Sequence, residues 1–234
     1  MHGRLSPRKL VIAIDGPAAS GKSTTAQLVA ERLGYLHVDT GAMYRAATLK
    51  VLRAGIPAAD QERVAALVES ARIELRREAG SPRVLLDGED VTQEIRTPEV
   101  TRAVSAVSGI RRVRDVMVRE QRRMGAEGGI VLEGRDIGTV VFPDADLKFF
   151  MVAGIDARAR RRGNELRTRG IQADIERLKN EIRDRDTVDS TRSESPLKKA
   201  DDAIEVDTSD MTVEQQVALV IATARRVMGE RRKA

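Results

Sequence analysis

The stretch GPAASGKST, residues 16–24, holds in residues 16–23 the full G-x-x-x-x-G-K-[ST] pattern, whose chemistry is phosphate binding. Gly16 and Gly21 allow the tight backbone path that turns N–H groups, and the N-terminus of the next helix, toward an anion. Pro17, Ala18, Ala19 and Ser20 form the cradle between them, and Thr24 closes it. Lys22 can bridge the β and γ phosphate oxygens, and the Ser23 hydroxyl can be offered to Mg²⁺. The pattern therefore implies nucleoside triphosphate binding. It does not give the destination of the phosphoryl group, because motors, switches and small-molecule kinases all use this loop.

A switch GTPase needs a D-x-x-G turn to sense the γ-phosphate and an N-K-x-D to read guanine, and the chain has neither. A kinase that acts on a hydroxyl wants a carboxylate base, for which Asp39 or Asp136 could serve. An acceptor that is itself a phosphate is already an anion and needs cations instead of a base. Arg45, Arg135 and the arginines Arg158, Arg161 and Arg162 of DARARRRGNELRTRG (156–170) suit this second chemistry. A solvated charged face is the plain alternative for such a run.

The elements that must carry these residues alternate. KLVIAID (9–15) is a short apolar, β-branched run that ends at the glycine turn, and STTAQLVAERLG (23–34) then has helical spacing with Gly34 as its stop. YLHVDTG (35–41) reads as a second strand ending in a turn, and GIVLEGRD (129–136), DLKFFMVA (146–153) and DAIEVDT (202–208) as three more. Helical patterns cover 110–124, ADIERLKNEIRDRD (173–186) and TVEQQVALVIATARRVM (212–228). This order predicts an α/β fold of the P-loop NTPase kind, a central parallel sheet covered by helices. ARIELRREAGSPRVLLDGEDVT (71–92) breaks the alternation and predicts two or three short antiparallel strands around the turn AGSP. We expect one kinase domain over 1–234, with an inserted region at about 67–100 and an arginine-rich lid at about 156–170.

At 234 residues the chain can bury one sizeable core. No apolar run approaches the roughly 18 to 20 residues of a membrane span, and LVIAI is too short for a signal-peptide core. With no Cys, disulfides, thiolate metal sites and a cysteine nucleophile are excluded, and His2 and His37 are too few for a histidine metal cluster. A cytoplasmic, monomeric protein is expected, with no membrane partner. The net charge of +5 favours polyanions, but at 2% aromatics the chain lacks the interleaving of rings and cations that stacks bases. Phosphorylated metabolites are therefore expected as partners ahead of nucleic acid.

In order and spacing, GPAASGKST, VDTGAMYR (38–45), DGEDVTQEIRTPEV (87–100), LEGRDIGTVVFPDADLKFF (132–150) and RDRDTVDSTR (183–192) resemble the bacterial cytidylate kinase family, and the resemblance spans about residues 10 to 228. It implies transfer of the γ-phosphate of ATP to CMP, and to dCMP, with Mg²⁺ as cofactor. It also implies a core domain, a mobile lid and a monophosphate-binding region. By the same resemblance, Arg45 and Arg135 take the acceptor phosphate, while Ser105, Arg114 and Asp136 read cytosine. Arg185 and Asp189 hold the ribose hydroxyls with Arg192 nearby, and Thr40 and Tyr44 sit on the turn that faces the acceptor. Arg158, Arg161 and Arg162 close over the triphosphate with Lys22. Read without the resemblance, Arg114 would be solvated helix surface, Ser105 an ordinary hydroxyl, and Asp189 and Arg192 a pair on a loop. The family usually has Asp before GRD, where this chain has Glu133; the longer side chain can still orient water on Mg²⁺.

Overall fold

A computed structural model describes residues 9–78, 81–168, 170–192 and 194–231. His2, and the Ala79 and Gly80 of the expected AGSP turn, lie outside the described residues. The described chain forms two compact units, the first containing the chain up to His37, Met124–Thr191 and Ser195 onward, the second Val38–Arg123 with Arg192–Glu194.

A five-stranded sheet in the order β2-β6-β1-β7-β8 is formed by Leu36–Asp39, Ile130–Gly134, Val11–Asp15, Leu147–Val152 and Ile204–Asp207, all of it in the first unit except Val38 and Asp39 at the end of β2. Every residue of β1 and β6 is buried, as expected for parallel strands covered on both faces. β1 pairs in parallel with β6 and β7, and β7 with β8. The last ladder pair of β1 and β6 is Asp15 with Gly134, so the phosphate loop begins directly beside the backbone that leads into Arg135. α1 (Lys22–Leu33) and α8 (Val213–Arg231) pack on the sheet through a core that includes Ile12, Ile14, Val29, Phe149, Met151, Val217 and Val220. α6 (Ile155–Thr168) and α7 (Ile175–Thr191) share a smaller core of Ala159, Leu178 and Ile182.

The second unit carries α2 (Thr40–Arg53), α3 (Gln61–Glu69), α4 (Pro98–Ser108), most of α5 (Arg111–Gly125) and a three-stranded antiparallel sheet. That sheet, β3 (Ile73–Glu78), β4 (Ser81–Leu86) and β5 (Glu89–Asp90), is the strand group expected at 71–92. Its Val84 and Leu86 pack with Ala42, Ala46 and Leu49 of α2, and with Ile95 and Val100.

Two expectations about elements need correction. No turn separates β2 from α2: the helix starts at Thr40 because the Asp39 side chain accepts the Ala42 N–H at 2.9 Å and caps it. Thr40 and Tyr44 are therefore helical. Likewise TVDSTR is not a loop up to Thr191, since α7 continues through Asp189.

Candidate active site

Gly16 sits at φ +150°, and a Cβ there would stand 2.1 Å from the Met151 carbonyl oxygen, so the loop can leave β1 on this path only with glycine. Gly21, at φ +95°, occupies the N-cap position of α1. Lys22 Nζ donates to the Pro17 carbonyl at 3.0 Å, folding over the loop. The Thr208 hydroxyl after β8 donates to the Ser20 carbonyl at 2.7 Å, and the Thr25 hydroxyl on α1 donates to Gln216 of α8 at 2.8 Å. Ser23 and Thr24 are exposed at the start of α1.

The Ser23 hydroxyl donates to Glu133 Oε2, and His37 Nε2 lies 3.1 Å from Glu133 Oε1. Burial alone would raise the Glu133 carboxyl, but the His37 hydrogen bond, the Lys22 charge and the Ser23 hydroxyl together hold it below the ordinary glutamate range. A hydroxyl and a carboxylate at the edge of a phosphate cradle are hard oxygen donors, the kind Mg²⁺ accepts alongside phosphate oxygens and water. The residues present fit that ion.

After β6, Arg135 Nε donates to Asp189 Oδ2 at 2.7 Å, and Arg185 Nε lies 4.0 Å from the same oxygen. Burial and the neighbouring Arg135 lower the Arg185 pKa. One buried carboxylate thus stands between two guanidinium groups, which brings three of the residues expected from the sequence together. Asp136 is buried beside them in sequence, at the head of a wide helical turn, Ile137–Val141.

The three α6 arginines differ. Arg158 is buried, donates to Asp186 at 2.6 Å and reaches the Ala18 carbonyl of the phosphate loop at 3.5 Å. Arg161 donates to the Thr208 hydroxyl at 3.0 Å and to its carbonyl. Arg162 makes a local pair with Glu165 of the same helix, at 2.7 Å. An open groove beyond the end of β8 is lined by Asp207, Ser209, Asp210, Met211 and Gln215.

The second unit holds Thr40, Tyr44, Arg45, Ser105, Arg114 and Arg192. Arg45 of α2 donates to the Thr101 hydroxyl at 2.8 Å and to the Ile95 carbonyl at 3.2 Å. The Arg114 guanidinium lies 5.4 Å from the centre of the Tyr44 ring, a cation–π distance. Arg114 is buried, which corrects the solvated-surface alternative: α5 turns it inward with Val113, Val116 and Met117. Ser105 is half-buried on α4. Reasoning from the sequence missed Asp15, His37, Asp186 and Thr208 as partners of the site; only Asp15, an acid directly before the loop glycine, offered a signal.

The family model for cytidylate kinase matches residues 12–226. A cytidylate kinase of Pelotomaculum thermopropionicum is 50% identical over 223 residues, covering 95% of this chain and 97% of the relative. The chain belongs to the cytidylate kinase family. A cytidylate kinase of Bacillus pumilus is 47% identical over 220 residues, with 94% and 98% covered, and one of Bacillus cytotoxicus 46% identical over 215 residues, with 92% and 96% covered. As a member of the cytidylate kinase family the chain is a phosphotransferase of the nucleoside monophosphate kinase type. No helix among the described residues is long and apolar enough to cross a membrane.

Proposed function

We propose that this kinase transfers the γ-phosphoryl group of ATP to CMP, and to dCMP, giving ADP and the corresponding diphosphate. The observation that carries the reading is the ladder pair of Asp15 with Gly134: a complete phosphate loop and the Arg135–Asp136 pair leave adjacent parallel strands at the same end. Donor phosphates lie along Gly16–Thr24, with Lys22 placed to follow the charge that develops as the phosphoryl group departs. Ser23 and Glu133, joined by a hydrogen bond beside the loop, would hold Mg²⁺, which would draw charge from the phosphate oxygens.

The acceptor arrives as a phosphate dianion, so a base is dispensable and guanidinium groups are required. Arg45 and Arg135 take that phosphate as forked donors. Arg185 and Asp189, with Arg192, hold the ribose, and Thr40 and Tyr44 contribute to the same acceptor region. Asp136 accepts from the cytosine amine while Arg114 and Ser105 donate to or orient the ring edge. The region of about 67–100 serves monophosphate binding, and the segment of about 156–170 serves as a lid in which Arg158, Arg161 and Arg162 exclude water from the transfer. The experiment is a coupled assay with ATP and each nucleoside monophosphate in turn. CMP should be phosphorylated fastest; a faster rate with another monophosphate would overturn the reading.

A further inference from the structure

Thr208, the first residue after β8, is fully buried. Its hydroxyl lies within hydrogen-bond distance of the Ser20 carbonyl at 2.7 Å, the Val152 carbonyl at 3.0 Å and Arg161 Nη1 at 3.0 Å. All of these residues belong to the first unit. A hydroxyl has one proton to give, and a guanidinium can only donate, so Arg161 occupies a lone pair of the Thr208 oxygen and leaves its proton for a carbonyl. The Val152 carbonyl already accepts the Thr208 N–H at 2.8 Å. The proton therefore serves Ser20, which is the nearer carbonyl and the one inside the phosphate loop.

We propose that Thr208 is a positioning residue for the phosphate cradle: by holding the Ser20 carbonyl behind the loop, it aims the Gly21 N–H forward at the donor phosphates. The Ser20–Gly21 peptide is planar and trans, so its C=O and N–H point in opposite directions, and fixing one fixes the other. Gly21 is the N-cap of α1, where N–H groups meet an anion. The loop needs such a hold. Ala19, directly before Ser20, lies at φ +58°, a left-handed conformation that a residue with a Cβ adopts at a cost and keeps only where its surroundings enforce it. Arg161 braces the clamp, since it donates to the Thr208 carbonyl as well as to the hydroxyl. The helix α6, the segment after β8 and the phosphate loop thereby meet at one oxygen atom.

The inference rests on the reading of residues 16–23 as the donor's phosphate cradle, and direct binding separates the two. Dissociation constants for ATP with Mg²⁺, and for inorganic tripolyphosphate, which carries phosphates but no base, are measured for wild type, Thr208→Val and Thr208→Ser. KM for CMP and thermal unfolding are taken on the same preparations. Thr208→Val keeps the shape and loses the hydroxyl, so it should weaken ATP and tripolyphosphate alike by about fivefold or more with KM for CMP within about twofold, and Thr208→Ser should restore both ligands to within about twofold of wild type. A folded Thr208→Val that binds both as wild type does, whatever its loss of stability, overturns the inference. A loss confined to ATP, a matching rise in KM for CMP, or no rescue by serine does the same. A wild type that binds neither compound overturns the donor reading and the inference with it. Should Thr208→Val fail to fold, nuclear magnetic resonance of wild type decides: the Gly21 amide proton should move downfield when tripolyphosphate is added, and an unmoved Gly21 signal overturns the inference.

Discussion

Lys22 belongs to no apolar cluster and donates to a loop carbonyl, so Lys22→Ala should leave the fold intact. Its charge matters most as the phosphoryl group leaves, and kcat should fall by roughly 100-fold or more, beyond any change in ATP affinity. Steady-state kinetics on the folded variant check this; a near-wild-type kcat would remove the loop from catalysis. Asp136 addresses the base. Cytosine presents an amine donor where uracil presents a carbonyl acceptor, so a carboxylate attracts one and repels the other. Asp136→Ala should raise KM for CMP, spare ATP binding and narrow the CMP-to-UMP ratio by about tenfold, or about 1.4 kcal/mol. At this scale the sequence was legible where spacing alone defines a job, as in Gly16 through Ser23. It was silent on His37, whose bond to Glu133 depends on β2 and β6 lying side by side in the sheet. Arg114 was misleading because Arg111 and Arg112 on the same helix are exposed, and only the packing of α5 tells them apart.

A parallel sheet could be anticipated from the alternation of apolar runs and helical patterns, and the break at 71–92 from its short polar-edged strands. Helix starts were harder to see. Thr40 and Gly41 read as turn formers, and they become helical through the Asp39 carboxylate on the Ala42 N–H, a bond that a pattern of residue types does not reveal. α7 also ran past its expected end, because Leu197 N–H on the Asp189 carbonyl at 2.7 Å ties the last turn to the segment after it. α6 supplies the prediction that belongs to elements. Arg162 pairs with half-exposed Glu165 three residues on, an interaction worth roughly 0.5 kcal/mol or less. Arg162→Ala should therefore shift thermal unfolding little while lowering the rate of transfer to CMP. Calorimetry and kinetics on one preparation decide it: an unchanged rate would return Arg162 to the solvated surface, and a large loss of stability would give it a structural role.

For the whole molecule, the pH dependence of stability has a part traceable to one group. Asp15 has a folded pKa of about 6 against an ordinary 3.8, so between these values the native state binds more protons than the unfolded chain. Its contribution therefore grows as pH falls through 6 and is absent above about 7. Urea unfolding of wild type and Asp15→Asn at several pH values should show wild type gaining on the variant from about pH 6.5 down to about 4.5, by up to roughly 2 to 3 kcal/mol. A pH-independent difference would mean that Asp15 titrates normally. The interleaving of the two units along the chain has another consequence, which concerns the order of events during folding. β1 ends at Asp15, but its neighbours in the sheet begin at Ile130 and Leu147, whereas β3, β4 and β5 find one another between Ile73 and Asp90. Local pairings form before distant ones, and on the ribosome the N-terminal strand emerges first and finds no partner until most of the second unit has been made. In pulse-labelled refolding, the amides of β3 and β4 should gain protection ahead of those of β1, leaving an apolar strand edge open in the interval, the stage at which this chain is most prone to self-association.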